Sequence, residues 1–393
     1  QDGYAFHMQQ GPLSTYSAGY YQGKVAFFDS IAAHPNYDRY WQQRGIWRHV
    51  KDVKPRVLVV GGWYDGEDRF GPIRLKRSLD SLSATTTATF VMGPWSHGAW
   101  NRGEGDIFGP LGFGSRTGQF FRDSIGVPFF ACALKDRCDV TLPKVVMFNT
   151  GANQWRTFDK WPPREAQPVS FYLREEGGLS RERATAGTGA DRYVSDPMKP
   201  VPYTQALSFG YWREYPTEDQ RFASRRPDVL TYVTDPLAED LTVAGPIDVS
   251  LHIASSGTDA DFIVKVVDVF PLSAAAQHAG GPRMDAYEQL VHGNVFRARW
   301  RRSFERPQPL VAHRPDSLTF SLEDVMHTFK KGHRLMVQVQ STWFPLVDRN
   351  PQAYVPNIYR AKASDFRPAT MTVFRTPARA SGIRVRVLPA VAQ

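Results

Sequence analysis

The alternation of apolar and polar residues divides the chain into three textures. Residues 1–50 mix aromatic and polar positions, and "AFFDSIAAHPNYDRYWQQRG" predicts short helices broken at His34 and Pro35. Residues 51–164 alternate strand and helix signals. The run "RVLVV" at 56–60 is continuously apolar and β-branched, as expected of a strand buried on both faces of a parallel sheet. In "GPIRLKRSLDSL", Leu75, Leu79 and Leu82 fall at i, i+4 and i+7 on one face of a helix, with Pro72 near its start. "TATFVMGPW" predicts a second strand, which completes one βαβ unit with parallel strands. From residue 165 onward "VSFYL", "DVLTYVT", "IDVSLHIAS", "DFIVKVVDVF", "DSLTFSL", "RLMVQVQST", "TMTVFR" and "IRVRVL" are short strands between Gly, Pro, Asp and Asn turns. That spacing predicts a β-sandwich or jelly roll. The segment "EEGGLSRERATAGTGADR" at 175–192 is expected to be a long flexible loop.

In open parallel sheets, functional residues gather beyond the C-terminal ends of the strands. The first strand runs into Asp65 and the second into His97, 32 positions later, about one βαβ step. Either residue alone reads as an ordinary turn or loop residue. Together they match the last two members of an α/β-hydrolase triad, with His97 as general base and Asp65 orienting its ring. Asp65, Glu67 and Asp68 crowd three acids into four positions, and neighbouring carboxylates repel unless a cation sits among them. A positive group is therefore expected there. No G-x-S-x-G occurs: Ser96 has Pro94 where the first glycine belongs, and Ser115 has Phe113 there and follows the histidine. The nucleophile is expected upstream, which makes this chain the C-terminal portion of a hydrolase.

Composition narrows the alternatives. With 393 residues, 42% hydrophobic and 22% charged, the chain is an ordinary globular sequence long enough for two or three domains. A net charge of +9 raises nucleic acid as a partner, but the basic residues are dispersed. The densest group, Arg297, Arg299, Arg301 and Arg302, alternates with apolar residues as on the solvated face of a strand, so nucleic-acid binding is not expected. No apolar run approaches the ~20 residues of a membrane span, and the first residues lack a signal-peptide pattern. Two cysteines, Cys132 and Cys138, make neither a disulfide framework nor a Cys-rich zinc site; a local bridge and two free thiols fit equally.

"GGWYDGEDRFGP" with "VMGPWSHG" resembles the α-amino acid ester hydrolases, a branch of the cocaine-esterase and X-prolyl dipeptidyl-peptidase group of α/β-hydrolases. "YVTDPLAEDLTVAGPIDVSLHIASSGTDADFIVKVVDVFP" and "HTFKKGHRLMVQVQSTWFPLVDRNPQ" extend the likeness over essentially the whole chain. The resemblance implies α/β plus all-β architecture: the end of a helical cap and linker at 1–50, the C-terminal part of an α/β-hydrolase domain at 51–164, and a jelly-roll β-sandwich at 165–393. It implies Asp65 and His97 as triad acid and base. Glu67 and Asp68 then belong to a carboxylate cluster that receives the substrate's α-ammonium group, with a third acid from the cap. The implied chemistry is acyl transfer from α-amino acid esters or α-amino β-lactam amides through a serine ester, without cofactor or metal. The partners implied are that small-molecule substrate and an N-terminal serine-bearing portion of the same enzyme, in a homo-oligomer of the periplasm or secreted space.

Trp63, Tyr64, Trp95 and Trp100 are candidates for an acyl pocket, with packing between domains as the alternative role. Within the group, an X-prolyl peptidase or a simple acyl esterase is the rival specificity. Two other classes remain. "DGED" offers carboxylates to a hard metal ion but lacks the spacing of a calcium loop. A non-catalytic jelly-roll binding module would leave Asp65 and His97 unexplained.

Overall fold

Strands Val57–Gly62 (β1) and Ala88–Gly93 (β2) pair in parallel from Val57 opposite Ala88 to Gly62 opposite Gly93. The computed structural model describes residues 2–187 and 189–389. Ahead of β1 lie helices α1 (Gly3–Gln10), α2 (Ala26–Ala33) and α3 (Arg39–Arg44), the last two separated at His34 and Pro35. Asp2 caps α1 and Asp38 caps α3, each accepting backbone N–H groups of the first turn. Between β1 and β2 runs α4 (Phe70–Leu82). Its buried face is Ile73, Lys76 and Leu79, whereas Leu75 is half-buried and Leu82 is 40% exposed, so the expected leucine stripe is rotated toward solvent. Lys76 lies in that face because its stem is apolar and its ammonium reaches Asp80 one turn on.

A two-residue hairpin, β3 (Ile107–Phe108) and β4 (Leu111–Gly112), precedes helices α5 (Thr117–Phe121) and α6 (Val127–Lys135). Cys132 and Cys138 close a disulfide at the end of α6. The sheet is completed by β5 (Val145–Asn149), parallel to β2, and β6 (Gln154–Phe158), antiparallel at the edge. Its order is β1, β2, β5, β6.

The sandwich follows. One sheet contains β7 (Gln167–Leu173), β8 (Leu179–Ser180), β9 (Ala190–Ser195), β11 (Leu241–Ser255), β14 (Asp316–Phe329), β16 (Ala369–Thr376), β17 (Arg379–Ala380) and β18 (Gly382–Val387). The other contains β10 (Leu230–Val233), β12 (Asp261–Val269), β13 (Glu288–Arg297) and β15 (Arg334–Gln340), in the order β10, β15, β12, β13. All these pairings are antiparallel, and the two sheets enclose a core that includes Val249, Leu251, Phe262, Val264, Val337, Val373 and Ile383.

Two expectations are corrected. The segment expected as a loop contains the short strand β8 and the start of β9; irregular chain is confined to its middle, where Thr188 lies outside the described residues. The arginine cluster is not a solvated strand face. Arg297 pairs with Asp261 and Asp348, Arg299 with Asp259, and Arg301 with Asp316; Arg302 alone of the four is exposed. Arg299 is 2% exposed and Asp259 fully buried, so these charges are neutralised inside the protein, where an unpaired one would be costly.

The hydrolase sheet rests on the sandwich through specific polar contacts. Thr150, just beyond β5, bridges to His327 of β14, and both Arg77 of α4 and Trp161 donate to the carboxylate of Asp324.

Candidate active site

Both candidate catalytic residues leave the sheet at the same end. Beyond their last paired glycines, β1 and β2 stay joined: Trp63 N–H donates to the Gly93 carbonyl at 2.8 Å and Tyr64 N–H to the Trp95 carbonyl at 3.1 Å. A β-carbon at Gly62 would stand 2.0 Å from that Trp95 carbonyl oxygen, so glycine is required for the close approach. Asp65 and His97 are thereby brought together, with His97 Nδ1 3.0 Å from Asp65 Oδ2.

Asp65 is 4% exposed and its two oxygens divide the work. Oδ2 faces His97, while Oδ1 accepts the N–H groups of Glu67 and Asp68, each at 2.9 Å. Since a carboxylate accepts, His97 carries its proton on Nδ1 and leaves Nε2 as the base. The hydrogen bond to Asp65, and then the charge of that carboxylate, raise the His97 pKa above its usual value, with Glu67 and Asp68 adding to the effect. Half of the His97 side chain is open to solvent. Among the described residues, no serine hydroxyl is hydrogen-bonded to it.

Glu67 and Asp68 are exposed beside this pair. Asp68 Oδ1 accepts the Gly71 N–H at 2.7 Å, a contact that also starts α4. The aromatic candidates sit differently. Trp63 and Tyr64 are each 3% exposed; Trp63 Nε1–H donates to the Phe148 carbonyl, and the Tyr64 hydroxyl accepts from Gln289. Trp95 is 1% exposed with its N–H on Thr117, and Trp100 packs against it. Their contacts are those of domain packing, although Trp63 and Tyr64 also line a small cavity behind the catalytic loop.

Among the described residues no ion pair joins Arg69 to Asp65, Glu67 or Asp68; its guanidinium turns toward the sandwich instead, donating to His292 Nδ1 at 2.6 Å and to the Asp324 carbonyl at 2.8 Å. Burial lowers its pKa to about 10. The sandwich also contributes residues that no local sequence signal indicated. A β-carbon at Gly66 would stand 2.0 Å from the Tyr211 hydroxyl and 2.7 Å from the Tyr215 ring, so these two tyrosines press on the turn between Asp65 and Glu67. Burial first, and then Tyr215, Glu67 and Asp65, push the Tyr211 pKa up and keep its phenol neutral.

Comparison with known proteins places this geometry. A sequence model of the X-Pro dipeptidyl-peptidase C-terminal non-catalytic domain matches residues 139–384, and one of the X-Pro dipeptidyl-peptidase S15 family matches residues 2–99. Cocaine esterase of Rhodococcus sp. (strain MB1 Bresler) is 29% identical over 332 residues, covering 82% of this chain and 54% of the esterase. An aminopeptidase from the marine sediment archaeon Thaumarchaeota archaeon superposes with a TM-score of 0.93 at 38% identity, over 99% of this chain and 64% of its own. An α-amino acid ester hydrolase superposes with a TM-score of 0.92 at 36% identity, over 98% and 64% respectively. The chain thus spans about half the length of the curated relative and under two thirds of either solved one. Its helical, α/β and β-sandwich parts, with an Asp–His pair at the strand ends, belong to the X-Pro dipeptidyl-peptidase (S15) and cocaine-esterase family of α/β-hydrolases.

Proposed function

We propose that this chain supplies the acid–base half of a serine hydrolase active site that acts on α-amino acyl esters and amides. The observation that carries the reading is the buried Asp65 holding His97 with Nε2 free and half the side chain exposed, beside the exposed acids Glu67 and Asp68. In this reading a serine attacks the acyl carbonyl, His97 takes its proton and returns it to the leaving group, and water or an amine, including a β-lactam amine, releases the acyl group. The serine belongs to polypeptide outside these residues. A place for such polypeptide is supported by β1, which pairs only with β2 and has a second edge that no described strand covers. On α6, Val127, Phe130 and Leu134 form an uncovered apolar stripe.

Glu67 and Asp68 favour substrates with an ammonium group, and the two solved relatives are an aminopeptidase and an α-amino acid ester hydrolase. The Cys132–Cys138 bridge supports an oxidising compartment, in line with a periplasmic or secreted enzyme. The test is specificity, assayed with the serine-bearing portion present. Glu67→Gln and Asp68→Asn should each lower kcat/KM on α-amino esters by ~10-fold or more, the worth of one charged hydrogen bond. Esters lacking the amine should be hydrolysed nearly as before, and equal losses on both substrates would remove these acids from ammonium recognition.

A further inference from the structure

Where α1 meets the sandwich, a cavity of about 180 Å³ lies between His7, Leu13 and Tyr16 on one side and Phe344, Arg349 and Phe366 on the other. No residue of the loop at 63–70 lines it. Arg349 is 7% exposed, with its Cζ 5.6 Å from the Phe344 ring centroid and 5.2 Å from that of Phe366. Nη1 donates to the Pro197 carbonyl at 3.0 Å and touches Met198 Sδ at 3.7 Å. The Nε–H and the two Nη2–H groups, three of its five donors, meet no acceptor among the described residues, and neither nitrogen is closed off from solvent.

Elsewhere in the sandwich a buried guanidinium has carboxylates against it. Arg297 holds both oxygens of Asp261 with Nε and Nη2, each at 2.8 Å, and Arg299 Nε donates to Asp259 at 2.8 Å. The edge that Arg297 uses is the edge that Arg349 leaves unspent. Asp348 also lines the cavity, but its Oδ1 accepts Arg297 Nη2 at 3.0 Å and its Oδ2 is closed off from solvent. Beside Arg349, His7 Nδ1 lies 2.8 Å from the Tyr16 hydroxyl. Burial lowers the His7 pKa and favours the neutral ring, so whichever member donates, the pair keeps one N–H or O–H to spare. Leu13, Phe344, Ile358 and Phe366 make the rest of the wall apolar. A planar fork of donors within hydrocarbon walls suits a carboxylate with a short apolar tail. The volume, below the ~300–1,000 Å³ of pockets for drug-sized ligands, limits that tail to a few carbons.

We propose that this cavity binds short aliphatic monocarboxylates, with the Nε–Nη2 edge of Arg349 taking both oxygens, the His7–Tyr16 pair adding a donor and Leu13, Ile358 and Phe366 covering the tail. The site goes beyond the acyl-transfer reading and uses none of its residues. Its ligand joins two parts of the chain, because His7 and Tyr16 precede β1 and Arg349 follows β15.

Calorimetric titration of this chain with butyrate tests the site, with butyramide as the uncharged probe of the same shape and acetate as the probe with a shorter tail. Butyrate should bind at one site per chain with a Kd of about 1 mM or tighter, and butyramide about tenfold or more weakly. Acetate should be weaker by about tenfold, for the two methylene groups it lacks. Arg349→Gln should weaken butyrate by about tenfold or more and leave butyramide unchanged. Leu13→Trp, which fills the cavity and keeps Arg349, should also remove butyrate binding. Butyrate should raise the melting temperature of the unmodified chain but not that of Arg349→Gln. Comparison of the three probes needs no variant and so does not depend on how a substitution folds. Absence of butyrate binding, equal binding of butyramide, or undiminished binding to folded Arg349→Gln overturns the site. Adding the proposed serine-bearing portion should leave butyrate affinity nearly unchanged; loss of binding there would assign the Arg349 edge to that polypeptide and overturn the site as well.

Discussion

Besides the local His34–Asp38 pair, the described residues contain two acid–histidine assemblies, and only one is placed to do chemistry. At the strand ends, Asp65 holds His97 at 3.0 Å and half of the histidine faces solvent. At the join of the two domains, Asp268 of β12 receives His327 Nε2 at 3.1 Å and His333 Nδ1 at 2.9 Å, and Thr150 Oγ1 lies 2.8 Å from His327 Nδ1. The order hydroxyl, imidazole, carboxylate is that of a hydrolytic triad. Yet Asp268, His327 and Thr150 are all at most 5% exposed, and the Thr150 hydroxyl also bonds the Met326 carbonyl. The same hydrogen bonds therefore make a candidate catalytic pair where an imidazole nitrogen is left free and accessible, and a domain fastener where both ring nitrogens of His327 are committed and buried.

Exchanging the fate of the two histidines is the most decisive way to break this comparison. With the proposed serine-bearing portion present, His97→Ala and Asp65→Asn should each reduce kcat by about 10⁴-fold, the loss typical of a triad member. His327→Gln should leave kcat per folded molecule within about twofold while lowering the melting temperature. Comparable activity losses from the two histidines would erase the distinction.

The fastener should respond strongly to removal of its charge. Asp268→Ala strands two histidines in the interior and should destabilise the fold by about 3–5 kcal/mol in denaturant titration, as for a broken buried ion pair. Despite the opposing effect of burial, hydrogen bonds from His327 and His333 hold the Asp268 carboxyl below the usual carboxylate range. Its contribution is complete above the unfolded pKa of about 3.9 and is lost as pH falls through the lower folded value. Acid unfolding should therefore move to higher pH in Asp268→Asn.

These two assemblies were not equally legible in the sequence. Asp65 and His97 follow apolar runs one βαβ step apart, so strand periodicity alone places them side by side. Asp268 and His327 come from two strands, and His333 from the turn before β15, whose neighbours are set by sandwich topology, which a strand pattern does not encode. For the same reason Tyr211 and Tyr215, which lie between β9 and β10, could not be assigned to the site, although the sandwich strands were legible. The arginines of "VFRARWRRSF" show a related limit: alternation marks which residues share a strand face but not whether that face meets water or the aspartates of a neighbouring segment. In α4 the leucine spacing gave the helix correctly but misplaced its buried face, because Ile73 and the stem of Lys76 complete the apolar contact instead of Leu82.

A third buried charge tests whether pairing is what makes the interior tolerable. Lys265 in β12 is fully buried, and its ammonium finds a neutral acceptor, Gln220 Oε1, at 3.0 Å. Burial lowers its pKa to about 7 despite the fields of Glu218 and Glu288. Below pH 7 the folded state bears the whole cost of a buried ammonium, and that cost fades between about pH 7 and the unfolded value near 10.4. Lys265→Met should therefore stabilise the protein by about 1–3 kcal/mol at pH 6 in thermal or denaturant unfolding, with a smaller gain at pH 10. A loss at both pH values would mean that the Gln220 hydrogen bond outweighs desolvation.

The smallest effect concerns the exposed pair and is read most directly by titrating one ring. The bond to Asp65 and its negative charge place the His97 pKa above 6.5, so the rising limb of kcat/KM should be displaced to higher pH, because the base must be neutral to accept the serine proton. In terms of stability the sign is opposite to that of Asp268. The attraction between His97 and Asp65 is fully present below the unfolded pKa of about 6.5 and disappears as pH rises through the folded value. With half the histidine in water, that term is screened and small. NMR titration of the His97 ring should show Asp65→Asn returning it toward the ordinary value, Glu67→Gln producing a lesser shift in the same direction, and Asp268→Asn leaving it where it was. A His97 pKa that ignored Asp65→Asn would break the pairing on which the contrast between the two assemblies depends.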